Sequence, residues 1–262
     1  MDTEEEWRGE GMERHFWPPM FLDPSYRWEE YRVGRGVKVR LLAVQDGGEG
    51  KTASCLTGQM VWPAARVLSQ HIVDHPELVQ ARTVLELGAG TGLLGLVAAK
   101  LSPCPKKVVL TDNNMTTLDM MEANVEENFP IQTTMPPRCA HLHWGENLNK
   151  FLHDHGKFDV ILGADVILWK QYIRPLFETV KKLLSQTDTA TFLLCYQCRY
   201  AELKDKVYEA AKEVHLVGEE IQLEENAAFV EQEDKAKDNL HLIKFCHQFV
   251  NVCETNAVCS TS

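Results

Sequence analysis

Short apolar runs alternate along this chain with longer stretches in which apolar residues recur at helical spacing. Runs of about four to eight apolar residues are typical of buried strands, and apolar positions three and four apart are typical of amphipathic helices. The runs predict strands at 83–87, 107–110, 139–143, 158–162, 189–196 and 240–245. The spacing predicts helices at 62–73, 93–101, 116–128, 173–185 and 202–214. This alternation predicts an α/β domain built on an open, mostly parallel sheet with helices on both faces.

The segments outside this alternation predict a short extension, a loop and a tail. Weak alternation over 31–44, with Gly34 and Gly36 in its middle, predicts a β-hairpin ahead of the sheet. We therefore expect an N-terminal extension at 1–30, disordered in its acidic first part, a single domain at 31–250 and a flexible tail at 251–262. The acid-rich stretch 219–238 is predicted to be a solvated loop.

Composition and charge narrow the classes of partner. The chain has 262 residues, 44% hydrophobic and 25% charged, which suffices for one large domain with its own core. Its 27 Lys and Arg against 38 Asp and Glu give a net charge of −11, so we expect no nucleic-acid partner. The most apolar stretch, 160–169, is short and contains Asp165, so we expect no membrane partner either.

The cysteines and the first residues bear on the compartment. Eight cysteines are scattered along the chain, which is typical of reduced thiols. The first 13 residues are rich in acids, unlike a secretory or mitochondrial leader. We expect a cytoplasmic protein, with the nucleus as a second location.

A glycine-rich turn is the most informative segment. The predicted strand at 83–87 leads into Gly88, Gly90 and Gly92, and a helix follows directly. Glycines at such a turn let the backbone approach a ligand closely and leave helix N–H groups facing it. Asp112, at the end of the next strand, can accept hydrogen bonds from a ribose diol. The pattern predicts a ligand that contains adenosine.

Two cofactors fit that description. Gly90, Gly92 and Gly95 satisfy G-x-G-x-x-G, so a nicotinamide dinucleotide and an oxidoreductase have to be considered. Glu86 precedes the first glycine inside the strand, and its carboxylate would repel a pyrophosphate. S-adenosylmethionine carries an α-ammonium, a sulfonium and no phosphate. The charge of Glu86 therefore favours the methyl donor, with NAD as the alternative.

These same residues resemble a known superfamily. The sequence ELGAGTG at 86–92, with TD at 111–112 after the next strand, resembles the cofactor signature of the seven-β-strand S-adenosylmethionine-dependent methyltransferases. The resemblance implies a Rossmann-like sheet of seven strands. It also implies S-adenosyl-L-methionine as the cofactor.

Three further segments resemble one branch, the family 16 protein methyltransferases of the methyltransferase-like 21 group. They are TGQMVWPAA at 57–65, HWG at 143–145 and FDVILGAD at 158–165. The resemblance covers roughly 31–245, in the right order and spacing. It implies methyl transfer to lysine in a specific protein substrate, such as a chaperone or a translation factor. We expect the enzyme to act as a monomer.

The resemblance also implies roles for single residues. Two tryptophans would contact the cofactor, since an adenine face packs well on aromatic surface. The implied cofactor contacts are Gly88, Ala89 and Gly90 on the methionine part with Glu86 nearby, Asp112 on the ribose, Trp144 on the adenine, Trp62 closing the pocket and Ala164 beside the reactive end.

The acceptor side departs from the family pattern. The family has an acid, two other residues and then Tyr or Phe; here Asp165 supplies the acid, but Leu168 stands where the aromatic belongs. Asp165 would orient the incoming ammonium as the catalytic residue, whereas Leu168 offers no cation–π contact. Trp169 has little weight as a substitute, because neighbouring side chains point in different directions. Lysine is the expected acceptor; arginine, histidine, an N-terminal amine and a non-catalytic binding protein on the same fold are alternatives.

A metal site is not expected. Cys195 and Cys198 have a ligand spacing, but they lie on an apolar strand with no second pair nearby. The paired histidines lack the Glu of an H-E-x-x-H motif. Methyl transfer needs positioning of the two reactants and no metal.

Overall fold

The central feature of the fold is a seven-stranded sheet. The computed structural model describes residues 26–34, 36–44, 54–130, 135–223 and 239–248. Strands β1 and β2 form a separate hairpin, and the strands of this sheet are β3 (Val84–Leu87), β4 (Val108–Asp112), β5 (Arg138–His141), β6 (Val160–Ala164), β7 (Thr191–Gln197), β8 (Leu216–Ile221) and β9 (Leu240–His247). Their order is β5-β4-β3-β6-β7-β9-β8. The pairs among β3 to β7 are parallel, and β9 is antiparallel to β7 and β8. The predicted mostly parallel sheet of seven strands is confirmed.

Helices cover both faces of the sheet, because its central strands are apolar on both sides. All four residues of β3 are buried, and among them Glu86 alone is ionisable. The helices are α1 (Pro63–Asp74), α2 (Leu93–Leu101), α3 (Met115–Asn128), α4 (Leu148–His155), α5 (Ile173–Leu183) and α6 (Leu203–Glu213). The first three pack with alternate strand residues into one core, and the last three pack into a second core on the opposite face. Two-sided burial is typical of parallel strands.

A two-stranded hairpin, β1 (Tyr26–Val33) and β2 (Val37–Val44), packs on the first of these faces. Its antiparallel register places Val33 opposite Val37, so the turn falls at the predicted glycines. The side chain of Asn124 on α3 bonds both backbone groups of Leu42, at 2.6 and 3.1 Å, and also the carbonyl of Thr91, at 2.9 Å. One amide therefore ties the hairpin to the glycine-rich turn.

Two elements differ from the sequence prediction. Helix α4 was not predicted, because its sequence is mostly polar and Phe151 is its one buried side chain. Strand β8 includes Glu219 and Glu220, which we assigned to a solvated loop; β8 is the edge strand, and most of its side chains are at least partly exposed. Strand β1 also begins before the predicted hairpin, at Tyr26.

Several expectations fall outside the described residues. The acidic head, the tail at 251–262 and most of the acid-rich stretch 219–238 lie there, so the predicted domain boundaries stay predictions. Within the described ranges, the helices lack the length and apolar character needed to cross a membrane.

Candidate active site

One cavity opens at the carboxyl ends of β3, β4 and β6. In open α/β sheets this edge, near the point where the strand order reverses, is where ligands bind. The structure places all nine site residues named from the sequence on its wall; they are Trp62, Glu86, Gly88, Ala89, Gly90, Asp112, Trp144, Ala164 and Asp165. The wall thus joins segments from five separate parts of the chain, and the role of each residue stays a prediction.

The turn between β3 and α2 forms the floor of the cavity. Gly88, Gly90 and Gly92 have φ angles of 61°, 55° and 81°, in the left-handed region that favours glycine. A Cβ on Gly90 would lie 2.8 Å from the carbonyl oxygen of Gly58. Gly88 and Gly90, which line the cavity, have no side chains. The turn therefore presents backbone that a ligand can approach closely. This fits the methionine part of S-adenosylmethionine.

Asp112 ends β4 beside this turn. Its Oδ2 accepts a hydrogen bond from the Gly90 N–H at 3.2 Å, and its Oδ1 accepts one from the Asn114 N–H at 3.0 Å. Burial raises the pKa of Asp112, and these backbone donors oppose that rise. Each carboxylate oxygen has a second lone pair. The carboxylate is therefore fixed in direction and still able to accept from two ribose hydroxyls.

Glu86 lies deeper, and the structure corrects its predicted charge. Its Oε2 accepts from the Gly95 N–H at 2.8 Å, and only 2% of the residue is exposed. Burial raises the pKa of Glu86 to about 8, with a smaller rise from Asp112 and an opposing effect of the Gly95 bond. At neutral pH the group is therefore mostly protonated. Repulsion of a pyrophosphate by Glu86 was the sequence argument against NAD, and that argument loses its force.

Trp62 forms the wall on the N-terminal side. It follows a 3₁₀ helix, Ser54–Gln59, and its Nε1 donates to the Thr57 carbonyl at 2.7 Å. Pro63 then begins α1, since a proline fits the first helical turn, where its missing N–H has no partner to lose. The indole is thus held by its own segment, with Thr57 and Trp62 both lining the cavity.

Asp165 immediately follows β6 and has a φ of 51°, which is strained for a residue other than glycine. Its Oδ1 accepts from the Gln197 N–H at 2.9 Å and from Arg199 Nη1 at 3.3 Å. Its Oδ2 accepts from the Ala64 N–H at 3.4 Å. The carboxylate therefore connects the ends of three elements. Its predicted role as the group that orients the acceptor stays a prediction.

Sequence reasoning missed Arg199. Besides its bond to Asp165, its Cζ lies 5.3 Å from the centroid of the Trp62 ring. The one signal in the sequence was its position just after an apolar strand, at the edge where sites form in this fold. Nothing in the sequence indicated which acid it would meet.

An aromatic wall stands where the sequence showed only Leu168. Trp169 and Tyr172 line the cavity together with Leu168 and Trp144. Tyr172 lies edge-on to both tryptophans, with centroid distances of 6.4 Å to Trp144 and 5.9 Å to Trp169. We gave Trp169 little weight because neighbours point apart in a strand. The strand has already ended at Ala164, however, and the left-handed turn at Asp165 lets adjacent side chains share one wall.

The described residues hold no cluster of ligand side chains suited to a metal ion. Cys195 and Cys198 are free thiols there, and Cys195 is fully buried in β7.

Comparison with known proteins identifies the family. Residues 42–213, well over half of the chain, match the family described as lysine methyltransferase. The chain belongs to the lysine methyltransferase family. The resemblance found in the sequence is thereby confirmed, and S-adenosylmethionine as the cofactor with it. Hydride transfer with NAD is set aside on this ground and not on the charge of Glu86.

Individual relatives of this methyltransferase agree. A protein N-lysine methyltransferase, METTL21A of Danio rerio, is 34% identical over 170 residues, which cover 60% of this chain and 74% of the relative. METTL21A of Mus musculus is 38% identical, covering 54% of this chain and 61% of the relative. A histone-arginine methyltransferase, METTL23 of Xenopus laevis, is 32% identical, covering 57% and 61%. The chain spans about three fifths of the length of the last two relatives.

Solved structures show the same fold at low identity. A methyltransferase complexed with S-adenosylhomocysteine superposes with a TM-score of 0.57 and 13% identity, covering 85% of this chain and 56% of that one. The magnesium protoporphyrin IX methyltransferase of Synechocystis gives a TM-score of 0.52 and 10% identity, covering 78% and 90%. The Rossmann-like methyltransferase fold of the chain is confirmed.

Proposed function

We propose that this methyltransferase moves the methyl group of S-adenosylmethionine to a lysine side-chain nitrogen of a specific folded protein. The observation that carries the proposal is the shared wall of the cavity. The glycine turn and Asp112 lie on one part of it, and Trp169 and Tyr172 lie on another. A cofactor held at the first part and a cationic side chain held at the second would meet inside the same cavity.

The charges on the wall support a cationic acceptor. Within the described residues, the carboxyl groups of Asp112 and Asp165 line the cavity together with Glu86, which burial keeps mostly protonated, and neither Lys nor Arg lines it. Ring faces of Trp and Tyr attract ammonium groups by about 0.5–2 kcal/mol. A phosphate-rich acceptor would find no counter-charge on this wall, which favours protein over nucleic acid.

The reaction requires a neutral amine in line with the methyl group. When bound, the cofactor supplies an electrophilic methyl on a positively charged sulfur. The amine lone pair would accept this methyl group, the donor would leave as a neutral thioether, and the nitrogen's excess proton would pass to water. The chain's own residues bind and orient: Trp62 closes one side, and the aromatic wall guides the acceptor stem. Holding two reactants in line can supply most of the acceleration.

Arginine is the second candidate acceptor. The observation in its favour is the similarity to a relative whose name is histone-arginine methyltransferase. A guanidinium would also pack on Trp169 and Tyr172. Amino-acid analysis of the methylated protein separates the two acceptors, because methyl-lysine and methylarginine have different masses and elute differently after hydrolysis.

The proposal extends to the partner and compartment. We infer a chaperone or a translation factor as the substrate, a monomeric enzyme, and action in the cytoplasm or nucleus. The free thiols of Cys104, Cys139, Cys195, Cys198 and Cys246 support a reducing compartment. Size-exclusion chromatography with light scattering tests the monomer, and imaging of a tagged chain in cells tests the compartment.

Labelling tests the transfer itself. The chain and S-adenosylmethionine carrying a tritiated methyl group are added to an extract of cells that lack the enzyme. We expect one or few labelled protein bands, and none with an Asp112→Ala variant. Calorimetry with S-adenosylhomocysteine and with NAD runs in parallel. Tight binding of S-adenosylhomocysteine without any labelling would instead indicate the non-catalytic binding protein.

A further inference from the structure

Arg199, Asp165 and Trp62 form a group of three side chains at the acceptor end of the cavity. The guanidinium donates to Asp165 Oδ1 at 3.3 Å and lies over the Trp62 ring at 5.3 Å. Asp165 and Trp62 line the cavity. Arg199 belongs to the segment after β7 and contacts the wall through these two side chains.

Burial makes this ion pair strong. The Asp165 side chain is 1% exposed and that of Arg199 is 26% exposed. Solvent and salt screen such a pair far less than one on the surface. A buried carboxylate without a counter-charge is costly, so the guanidinium compensates the charge of Asp165.

The proposed reaction gives this compensation a purpose. A lysine enters as an ammonium, with a pKa near 10.4 in water, and has to lose a proton before its lone pair can attack. An uncompensated carboxylate nearby would stabilise the ammonium and raise that pKa. Asp165 would then hinder the loss of the proton from the acceptor lysine.

We propose that Arg199 neutralises Asp165 and so lowers the pH at which the acceptor lysine becomes reactive. The inference rests on the proposed lysine transfer. Arg199 acts through Asp165 and is a positioning residue, with no contact to the reacting atoms.

Several other titratable groups lie on the same wall or directly behind Asp165. Burial raises the pKa of Glu86 to about 8. Burial, with the charge of Asp165, also raises the pKa of the Cys195 thiol, so it stays neutral. Among the described residues, the titratable groups on the wall or directly behind Asp165 are Glu86, Asp112, His143, Tyr172 and Cys195. Asp112 already accepts from two backbone N–H groups at the ribose end.

Two substitutions separate charge from shape. Arg199→Met keeps the length of the side chain and removes the charge, whereas Arg199→Lys keeps the charge. Arg82→Met is the matched control, because Arg82 bonds the Thr189 carbonyl at 2.8 Å, near the opposite ends of β3 and β7. The acceptor is the extract of cells that lack the enzyme. The methylation reactions are run from pH 6.5 to 10 at subsaturating acceptor. Methyl-lysine is then quantified after hydrolysis of the labelled protein.

The expected result is a displaced pH profile. For Arg199→Met the acid limb moves up by about one pH unit, which lowers the rate at pH 7 about tenfold and restores it at high pH. Arg199→Lys and Arg82→Met keep the limb of the wild type. Arg199→Gln is a second neutral variant, in case the Met variant is unstable.

A binding measurement provides a readout independent of turnover. S-adenosylmethionine has a charged sulfur and S-adenosylhomocysteine a neutral one. We expect Arg199→Met to raise the ratio of their affinities several-fold in favour of the charged ligand, and Arg199→Lys to leave it unchanged. Calorimetry at pH 7 measures both affinities.

Each remaining outcome overturns the inference. An unmoved limb, or an equal loss at every pH with an unchanged affinity ratio, would make Arg199 a structural residue only. Failure of both neutral variants to fold would assign the pair to stability alone. A wild type that labels nothing in the extract would remove the proposed function as well, and that result is distinguishable because it appears without any substitution.

Discussion

At the scale of single residues, we predict that cofactor binding depends most on the side chain of Asp112. Because its two oxygens are already directed by the Gly90 and Asn114 N–H groups, its remaining lone pairs are available to a ribose diol. We expect Asp112→Ala to weaken S-adenosylhomocysteine binding more than about tenfold, the loss typical of charge-assisted hydrogen bonds. Calorimetry measures it. Asp119→Ala on the exposed side of α3 removes the same charge and should bind normally; an unaltered affinity in Asp112→Ala would remove Asp112 from the site.

Glu86 gives the unliganded protein a pH-dependent stability. Its pKa is raised from 4.5 to about 8 in the folded chain, so between these values the unfolded state is ionised while the folded state keeps its proton. The contribution of protonated Glu86 to the free energy of unfolding is fully present below pH 4.5 and is lost as the pH rises to about 8. Urea titrations at pH 5 and pH 8 should therefore show a fall in the free energy of unfolding, on the order of a few kcal/mol. Glu86→Gln should show a smaller fall, and equal falls in the two proteins would contradict the assignment.

Residue types were predictable from the sequence, but their protonation and partners were not. The glycines and Asp112 could be named because they follow the ends of predicted strands, and Trp144 because its segment resembles the family motif. The charge of Glu86 depends on complete burial and on the Gly95 N–H, which only the packed α2 supplies. Arg199 and Tyr172 were missed because they reach the site through the irregular segments after β7 and β6.

At the scale of elements, the turn between β3 and α2 needs glycine for two separate reasons. Alanine at Gly90 would suffer the left-handed φ of 55° and a contact at 2.8 Å with the Gly58 carbonyl. Alanine at Gly156 would suffer a φ of 77° with open space around its Cβ. Each substitution should cost about 1–3 kcal/mol of stability for backbone strain. Only Gly90→Ala should also weaken S-adenosylhomocysteine binding, by calorimetry; equal affinity in the two variants would show that the contact with Gly58 does not shape the site.

The segment that follows β6 carries the aromatic wall. Trp169 is 46% exposed although it is a large apolar side chain, which suits a surface that an acceptor covers. Trp169→Ala should lower kcat/KM for the protein acceptor about 2- to 30-fold, the loss of a cation–π contact. Trp169→Phe should restore much of it, and S-adenosylhomocysteine affinity should stay unchanged in both. A normal kcat/KM in Trp169→Ala would leave the acceptor side without this contact.

Element prediction succeeded where the core dictates the pattern and failed where it does not. The central parallel strands β3, β4, β6 and β7 are largely apolar because both of their faces are buried. Helix α4 contributes one buried side chain, and β8 lies at the sheet edge, where Glu219 is exposed and Glu220 accepts from Lys204. Their sequences therefore resemble loops, and only their pairing and packing partners reveal them.

At the scale of the whole molecule, the segment 57–65, the carboxyl end of the sheet and the segment after β6 line one cavity together. Asn124 joins β2 to the glycine turn, and Asp165 joins α1 to the end of β7. The mostly parallel sheet of seven strands was predictable from the alternation of elements together with the family resemblance. The enclosure was not, because it depends on side chains that bridge segments far apart in sequence.

The central claim is that this enclosure places a lysine nitrogen of a protein beside a bound methyl donor. The most direct measurement is tandem mass spectrometry of the protein that becomes labelled when the chain and tritiated S-adenosylmethionine are added to an extract of cells lacking the enzyme. The account predicts a mass increase of one or more methyl groups on a lysine side chain, present with the wild type and missing with Asp112→Ala. Methyl groups found only on arginine, histidine or an N-terminal amine would contradict it.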